Sequence, residues 1–223
     1  RAGLAALAAA LDWRDASLRI TYSAGADGEP PLLVVSARAV TRWPDAGLRV
    51  LVSSHAKLAA DPLERIKHTN RLRNHLARDE AVRAGCDEAL IATEAGDLSE
   101  GTLSNLFVAR GGVLLTPALE RGCLAGVTRD HVVASVRADP LFGGRRCEVR
   151  ETRIEPADIA ASDEVLLTNT SGRVLGALEV RPLRAGLPGS AGPLARALRA
   201  RTAALEQAYR ALPARTILAR ATD

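Results

Sequence analysis

The chain contains no methionine, aromatic residues make up 3% of it, and its three cysteines stand far apart. A translated product begins with methionine, so this absence points to a chain that is processed, truncated or missing its beginning. Single-stranded nucleic acids are bound on aromatic stacking platforms, and with two each of Trp, Tyr and Phe a nucleic-acid partner is not expected. Cys86, Cys123 and Cys147 show no CxxC spacing, which argues against a zinc site or a disulfide framework and for a reducing, cytoplasmic setting. His55, His68, His75 and His131 lack metal-ligand spacing, so no metal is expected. No apolar run approaches the roughly 20 residues of a membrane-spanning helix, and no signal-peptide pattern opens the sequence, so a membrane is not expected either.

What is present suits a packed enzyme-sized fold. The 223 residues are 47% hydrophobic, enough for one large domain or one domain with a smaller companion. Thirty basic residues against 26 acidic ones give a net charge of +4, a mild excess that suits an anionic small substrate. Leu4, Leu7, Ala8 and Leu11 recur at helical spacing; Leu18–Tyr22 and Leu32–Val40 read as strands around a Gly/Asp/Pro turn. Trp43-Pro44-Asp45 marks a boundary, dividing the chain into residues 1–42 and 43–223. Beyond it, strands are expected near 48–53, 88–93, 105–110, 113–116, 149–153, 164–168 and 174–180. Helices are expected from about Lys67, with Leu72, Leu76 and Val82 on its apolar face, over 127–136 and over 194–212. Strands and helices mixed without strict alternation predict an α+β fold.

Two stretches carry the chemistry. Ile66-Lys67-His68-Thr69-Asn70-Arg71-Leu72 puts a lysine at the start of an amphipathic segment, and Leu98-Ser99-Glu100-Gly101 puts an acid at a bend between apolar runs. Taken singly, Lys67 reads as a solvated residue, Glu100 as a turn acid and Thr128 as a helix cap. Asn105 reads as a structural hydrogen-bonder, and Cys123, with no base beside it in sequence, as a packing residue.

In order along the chain, Ile66–Leu72, Asp87-Glu88-Ala89-Leu90, Ser99-Glu100-Gly101, Ser104-Asn105-Leu106-Phe107, Thr116-Pro117, Gly122–Arg129, Asp163-Glu164-Val165 and Thr168-Asn169-Thr170-Ser171 together resemble the fold-type IV, or class IV aminotransferase, enzymes that use pyridoxal 5'-phosphate (PLP). These include branched-chain and D-amino acid aminotransferases and 4-amino-4-deoxychorismate lyases. The Lys67–Leu72 segment looks most like the lyases. The resemblance implies a large PLP-binding domain with the remnant of a smaller N-terminal α/β domain, and a homodimer. It makes Lys67 the Schiff-base lysine and proton carrier and sets Glu100 against the pyridine nitrogen. Gly126, Val127 and Thr128 become the phosphate turn at a helix N-terminus, and Asn169 and Thr170 a second loop beside it.

In the family, a segment near the start carries a phosphate-binding arginine. Here the stretch after Leu18–Tyr22 is Ser23-Ala24-Gly25-Ala26-Asp27-Gly28, and that arginine is expected to be lacking. The charged hydrogen bonds it would make are worth about 1.5–3 kcal/mol each. Three functions are therefore expected in order: a PLP-dependent 4-amino-4-deoxychorismate lyase releasing pyruvate and 4-aminobenzoate for folate precursor synthesis, a class IV aminotransferase acting on branched-chain or D-amino acids, or a catalytically impaired protein of the same fold.

Overall fold

A computed structural model describes residues 16–40, 42–142, 145–171 and 173–210. The helix expected near Leu4–Leu11 lies outside them. The chain divides into two compact units, 1–42 and 43–223. The first presents an antiparallel hairpin, β1 (Ala16–Ser23) against β2 (Leu32–Ala39).

The second unit is built on strands β3 (Leu48–Val52), β4 (Glu88–Ala92), β5 (Leu98–Gly101), β6 (Asn105–Arg110) and β7 (Val113–Pro117). A small hairpin, β8 (Leu141–Phe142) and β9 (Arg145–Arg146), follows. Then come β10 (Glu148–Thr152), β11 (Glu164–Asn169) and β12 (Arg173–Arg181). Its helices are α1 (Leu72–Arg83), α2 (Val127–Ala138), the short α3 (Pro156–Ala160) and α4 (Pro193–Arg210). The eight main strands run in the order β10-β7-β6-β11-β12-β3-β4-β5, and β5 also pairs with β6, closing a ring of β6, β11, β12, β3, β4 and β5. Parallel pairs (β10–β7, β12–β3, β3–β4) mix with antiparallel ones, as an α+β fold predicts.

The ring is filled from alternate positions of its strands. Leu106, Val108, Val165 and Leu167 point to the inner core with Leu48, Val50 and Leu90, while Phe107, Ala109 and Leu166 face α2 and α4 through Val132, Val136 and Leu198. Both faces of these strands are buried, which is why their sequences read as continuous apolar runs rather than alternating ones. Each fully buried Leu or Val contributes about 1.5–3 kcal/mol relative to exposure.

Helix α1 departs from expectation twice. It starts at Leu72 rather than Lys67, because Pro62–Arg65 forms a 3-10 turn capped by Asp61, and Arg71 takes a non-helical conformation at φ −112°, ψ 39°. Its buried face is Ala77 and Ala81, packed on Ala89 and Ile91, whereas Leu72, Leu76 and Val82 are exposed. Alanine lets the helix lie close on the sheet, and larger side chains there would hold it away. Helix α4 runs Pro193–Arg210 within the described residues.

Candidate active site

The site forms where the ring closes. β5 meets β6 through a single pair, Glu100 opposite Asn105. Glu100 therefore belongs to a strand, flanked by Ile91 of β4 on its other side, and the expected bend follows at Thr102–Ser104. Asn105 Nδ2 donates to the Leu124 carbonyl at 2.8 Å, and the Leu124 N–H donates to Glu100 Oε2 at 2.9 Å. Acid, asparagine and the loop before α2 are thus one hydrogen-bonded unit, and Asn105 holds structure, as its sequence context predicts.

The other oxygen of Glu100 is held by a residue that sequence reasoning missed. Lys57, 2% exposed, brings its Nζ to 2.8 Å from Glu100 Oε1 and 2.9 Å from the Gly122 carbonyl. Glu64 Oε2 lies 3.4 Å from the same nitrogen. The only signal in the sequence is a lone cation within Ala56-Lys57-Leu58-Ala59-Ala60, and charges are almost never fully buried unpaired. In a pyridine ring of the expected cofactor, the nitrogen and the aldehyde-bearing carbon are para. With Glu100 at the nitrogen, as the resemblance implies, a lysine hydrogen-bonded to that acid would be on the wrong side for the aldehyde.

Lys67 is exposed and lies in the segment between the 3-10 turn and α1. It lines a cavity of about 340 Å³ together with Glu100, Arg65 and Arg71. That volume is at the lower end of ligand cavities, roughly 300–1,000 Å³. Arg71 Nη2 is 4.0 Å from Glu100 Oε1. Three cations and one carboxylate line the cavity, and the carboxylate is already matched by Lys57, so the cavity favours anions.

Gly126, Val127 and Thr128 line the same cavity, at the N-terminus of α2. Gly126 is the N-cap and no side chain caps the helix, so the N–H groups of its first turn have no intrahelical acceptor and the dipole favours an anion there. One expectation is corrected: the Gly126 N–H is taken up by the Leu124 carbonyl at 2.9 Å, which leaves Val127, Thr128 and the Thr128 hydroxyl as the donors. The need for glycine is steric. Its φ of −75° suits any residue, but a Cβ there would stand 2.0 Å from Asn105 Oδ1.

Asn169 and Thr170 line the same cavity with Thr168, and Asn169 Oδ1 accepts the Ser171 N–H at 3.0 Å. Thr168 is a residue that the sequence did not single out for the cofactor. Its hydroxyl is buried and has no hydrogen-bond partner among the described residues. A buried hydroxyl without a partner among the described residues and an uncapped helix N-terminus, both lining one cavity, fit a bound phosphate group.

Two buried carboxylates brace the surroundings. Glu88, fully buried, accepts from the N–H groups of Thr102 and Leu103 at 3.2 Å and from Ser104 Oγ at 3.0 Å, fastening the loop between β5 and β6. Burial alone would raise the Asp97 carboxyl. The bidentate Arg121 guanidinium at 2.5 and 2.7 Å, the Thr93 hydroxyl and the charge of Arg153 outweigh it and hold Asp97 below the usual carboxylate range. Arg121 is in turn tied to β5 by Ser99 Oγ, which donates to its carbonyl at 2.7 Å. Burial pushes the Cys123 thiol up to about 11, and it sits against the Pro117 and Ala118 carbonyls as a packing residue.

Comparisons with known proteins point to one family. A protein of Methanocaldococcus jannaschii provisionally named as a branched-chain-amino-acid aminotransferase is 28% identical over 177 residues, covering 75% of this chain and 59% of the relative. The branched-chain aminotransferase of the thermophilic archaeon Thermoproteus uzoniensis, solved with norvaline, matches with a TM-score of 0.66 and 25% identity over 79% of this chain and 57% of that one. Another branched-chain amino acid aminotransferase, solved in complex with N-(5'-phosphopyridoxyl)-L-glutamate, matches with the same TM-score of 0.66 and 31% identity over 81% of this chain and 57% of that one. A Legionella pneumophila structure provisionally named as a 4-amino-4-deoxychorismate lyase shares the fold at a TM-score of 0.61 and 24% identity, over 70% of this chain and 56% of that one. The chain thus spans little more than half the length of these relatives. The profile of the family Amino-transferase class IV matches residues 1–180, and the chain belongs to that PLP-dependent family.

Proposed function

We propose that this chain is the PLP-binding part of an enzyme that exchanges a lysine amine for the amine of an anionic substrate. One observation carries the reading: Lys67, Glu100 and the N-terminus of α2 line a single cavity. Lys67 would hold the cofactor through its aldehyde. Val127, Thr128, Thr168 and Thr170 would meet its phosphate, beside Gly126 and Asn169. Bound there, PLP supplies an electron sink for charge developing at the carbon that bears the substrate nitrogen. Glu100 would keep the proton on the ring nitrogen, and its hydrogen bonds to Lys57 and Leu124 orient it for that task. Once displaced by the substrate amine, Lys67 is the base that takes the proton from the carbon bearing nitrogen.

For the reaction itself, the proposal is 4-amino-4-deoxychorismate lyase activity, with loss of pyruvate leaving 4-aminobenzoate. The cations Arg65 and Arg71, which line the cavity beside Lys67, support a substrate with more than one carboxylate. The second reading, transamination of branched-chain amino acids, is favoured by the names of the relatives, and would differ in where Lys67 delivers the proton. We also assign residues 1–42 to part of a small domain and 43–223 to the PLP domain, and propose a homodimer. The exposed Leu63, Ile66, Leu72 and Leu76 support self-association. Among the described residues no helix is long and apolar enough to cross a membrane.

The test is absorbance of the purified chain mixed with PLP. A long-wavelength band of lysine-bound PLP is expected and should vanish in Lys67→Ala; a band that persists, or none in either protein, sinks the assignment. Pyruvate released from aminodeoxychorismate without a keto acid supports the lyase. Conversion of bound PLP to its amine form by a branched-chain amino acid supports the aminotransferase.

A further inference from the structure

We infer that Lys57 is the positioning residue of this site: it aims Glu100 and ties the acid to the segment that carries Lys67. The inference rests on the reading of Glu100 as the acid at the ring nitrogen. Around Lys57 the charges alternate in an unbroken series, Arg73–Glu64–Lys57–Glu100–Arg71. Two of its three inner members, Lys57 and Glu100, have side chains only 1% and 4% exposed. Glu64 and Arg65 close the 3-10 turn just before Lys67, and Arg71 stands at the N-cap position of α1 just after it. The segment 64–71 is therefore gripped at both ends by a series whose centre is the Lys57–Glu100 pair.

The geometry of the pair favours orientation over mere neutralisation. Glu100 Oε1 takes Lys57 and Oε2 takes the Leu124 N–H, so the carboxylate plane is set by two donors from different loops. Each oxygen of a carboxylate retains a second lone pair for a further donor. Lys57 also donates to the Gly122 carbonyl, four residues before the N-cap of α2. Gly122 itself is in the left-handed region at φ +75°, and a Cβ there would meet the Ala59 Cα at 3.3 Å and the Lys57 Cδ at 3.4 Å. The ammonium thus sits at the junction of the three pieces of the site: acid, lysine segment and phosphate turn. A lysine can do this because its three donors radiate from one atom; the planar guanidinium of an arginine spreads its donors in a fork.

The experiment is a double-mutant cycle read by PLP dissociation constant and by the pH midpoint of the long-wavelength band, in the full chain. Lys57→Gln keeps a donor and removes the charge; Lys57→Arg keeps the charge and changes the shape; Glu100→Gln removes the acid. Lys57→Gln is expected to weaken PLP binding about tenfold or more and to shift the band's midpoint. In the Glu100→Gln background it should change affinity less than about twofold, since groups acting as one unit are non-additive. Lys57→Arg should recover part of the loss. An equal loss from Lys57→Gln in both backgrounds would show a merely structural lysine and overturn the inference. So would a Glu100→Gln defect that Lys57→Gln and Lys57→Arg both fail to reproduce in affinity and midpoint. If Glu100→Gln itself leaves binding and spectrum unchanged, the reading of the acid falls, and this inference falls with it.

Discussion

Gly126→Ala tests the site's tightest contact. The new Cβ would stand 2.0 Å from Asn105 Oδ1 and 3.1 Å from its Cγ, while the backbone conformation accepts alanine without strain. Asn105 is 7% exposed and must move to make room, giving up its 2.8 Å bond to the Leu124 carbonyl. Losing that bond costs about 0.5–1.5 kcal/mol, and overpacking a buried position costs about 1–3 kcal/mol. Against this, alanine restricts the unfolded chain by about 0.4–1 kcal/mol. The balance is a destabilisation on the order of 2 kcal/mol, which at this chain length lowers the melting temperature by about 4–8 °C. Thermal unfolding followed by circular dichroism measures it. Asn105→Ala removes the obstacle, so Gly126→Ala should cost less than about 0.5 kcal/mol more when added to Asn105→Ala. Full wild-type stability in Gly126→Ala, or the same loss with and without Asn105, would refute the steric argument.

Three further outcomes follow from the same structure. Thr168→Val should leave the cofactor-free protein as stable or more stable, by up to about 1 kcal/mol, because the buried hydroxyl has no partner, while weakening PLP binding; a loss of stability beyond about 1 kcal/mol without cofactor, the size of an ordinary lost bond, would contradict it. Asp97 is held below its ordinary range in the folded state, so its stabilisation is complete above the unfolded value of about 3.9 and is lost as pH falls from there through the folded value. Asp97→Asn should cost about 3–5 kcal/mol at neutral pH and flatten that acid limb in urea titrations; an unchanged limb counts against the Arg121 clamp. The Cys123 thiol, near 11, holds about one part in a thousand as thiolate at pH 8, so a disulfide reagent should label it only on unfolding, and fast native labelling would disprove its burial.

Much of the fold was legible in the sequence because its signals are local. The hairpin of β6 and β7 announces itself by apolar runs around Gly111-Gly112, and α2 by its apolar period after Gly126. Helix α1 differs in face and start because its leucines look like a core stripe, and only packing against Ala89 and Ile91 reveals that the alanines are the buried side. The motif order singles out Lys67 and Glu100, yet whether they share a cavity depends on strand order, which no local pattern encodes.

The sequence by itself determined the α+β class, the position of most elements and the family, since these rest on periodicity, turn residues and motifs a few residues long. Tertiary structure alone decided what surrounds the acid. Glu100 meets Lys57 across 43 residues and Asn105 across the seam of the ring, and strands brought together from different parts of the chain leave the Thr168 hydroxyl without a partner among the described residues. A charge's role is set by the partner that compensates its burial, and that partner is chosen by closure of the sheet rather than by its neighbours in sequence.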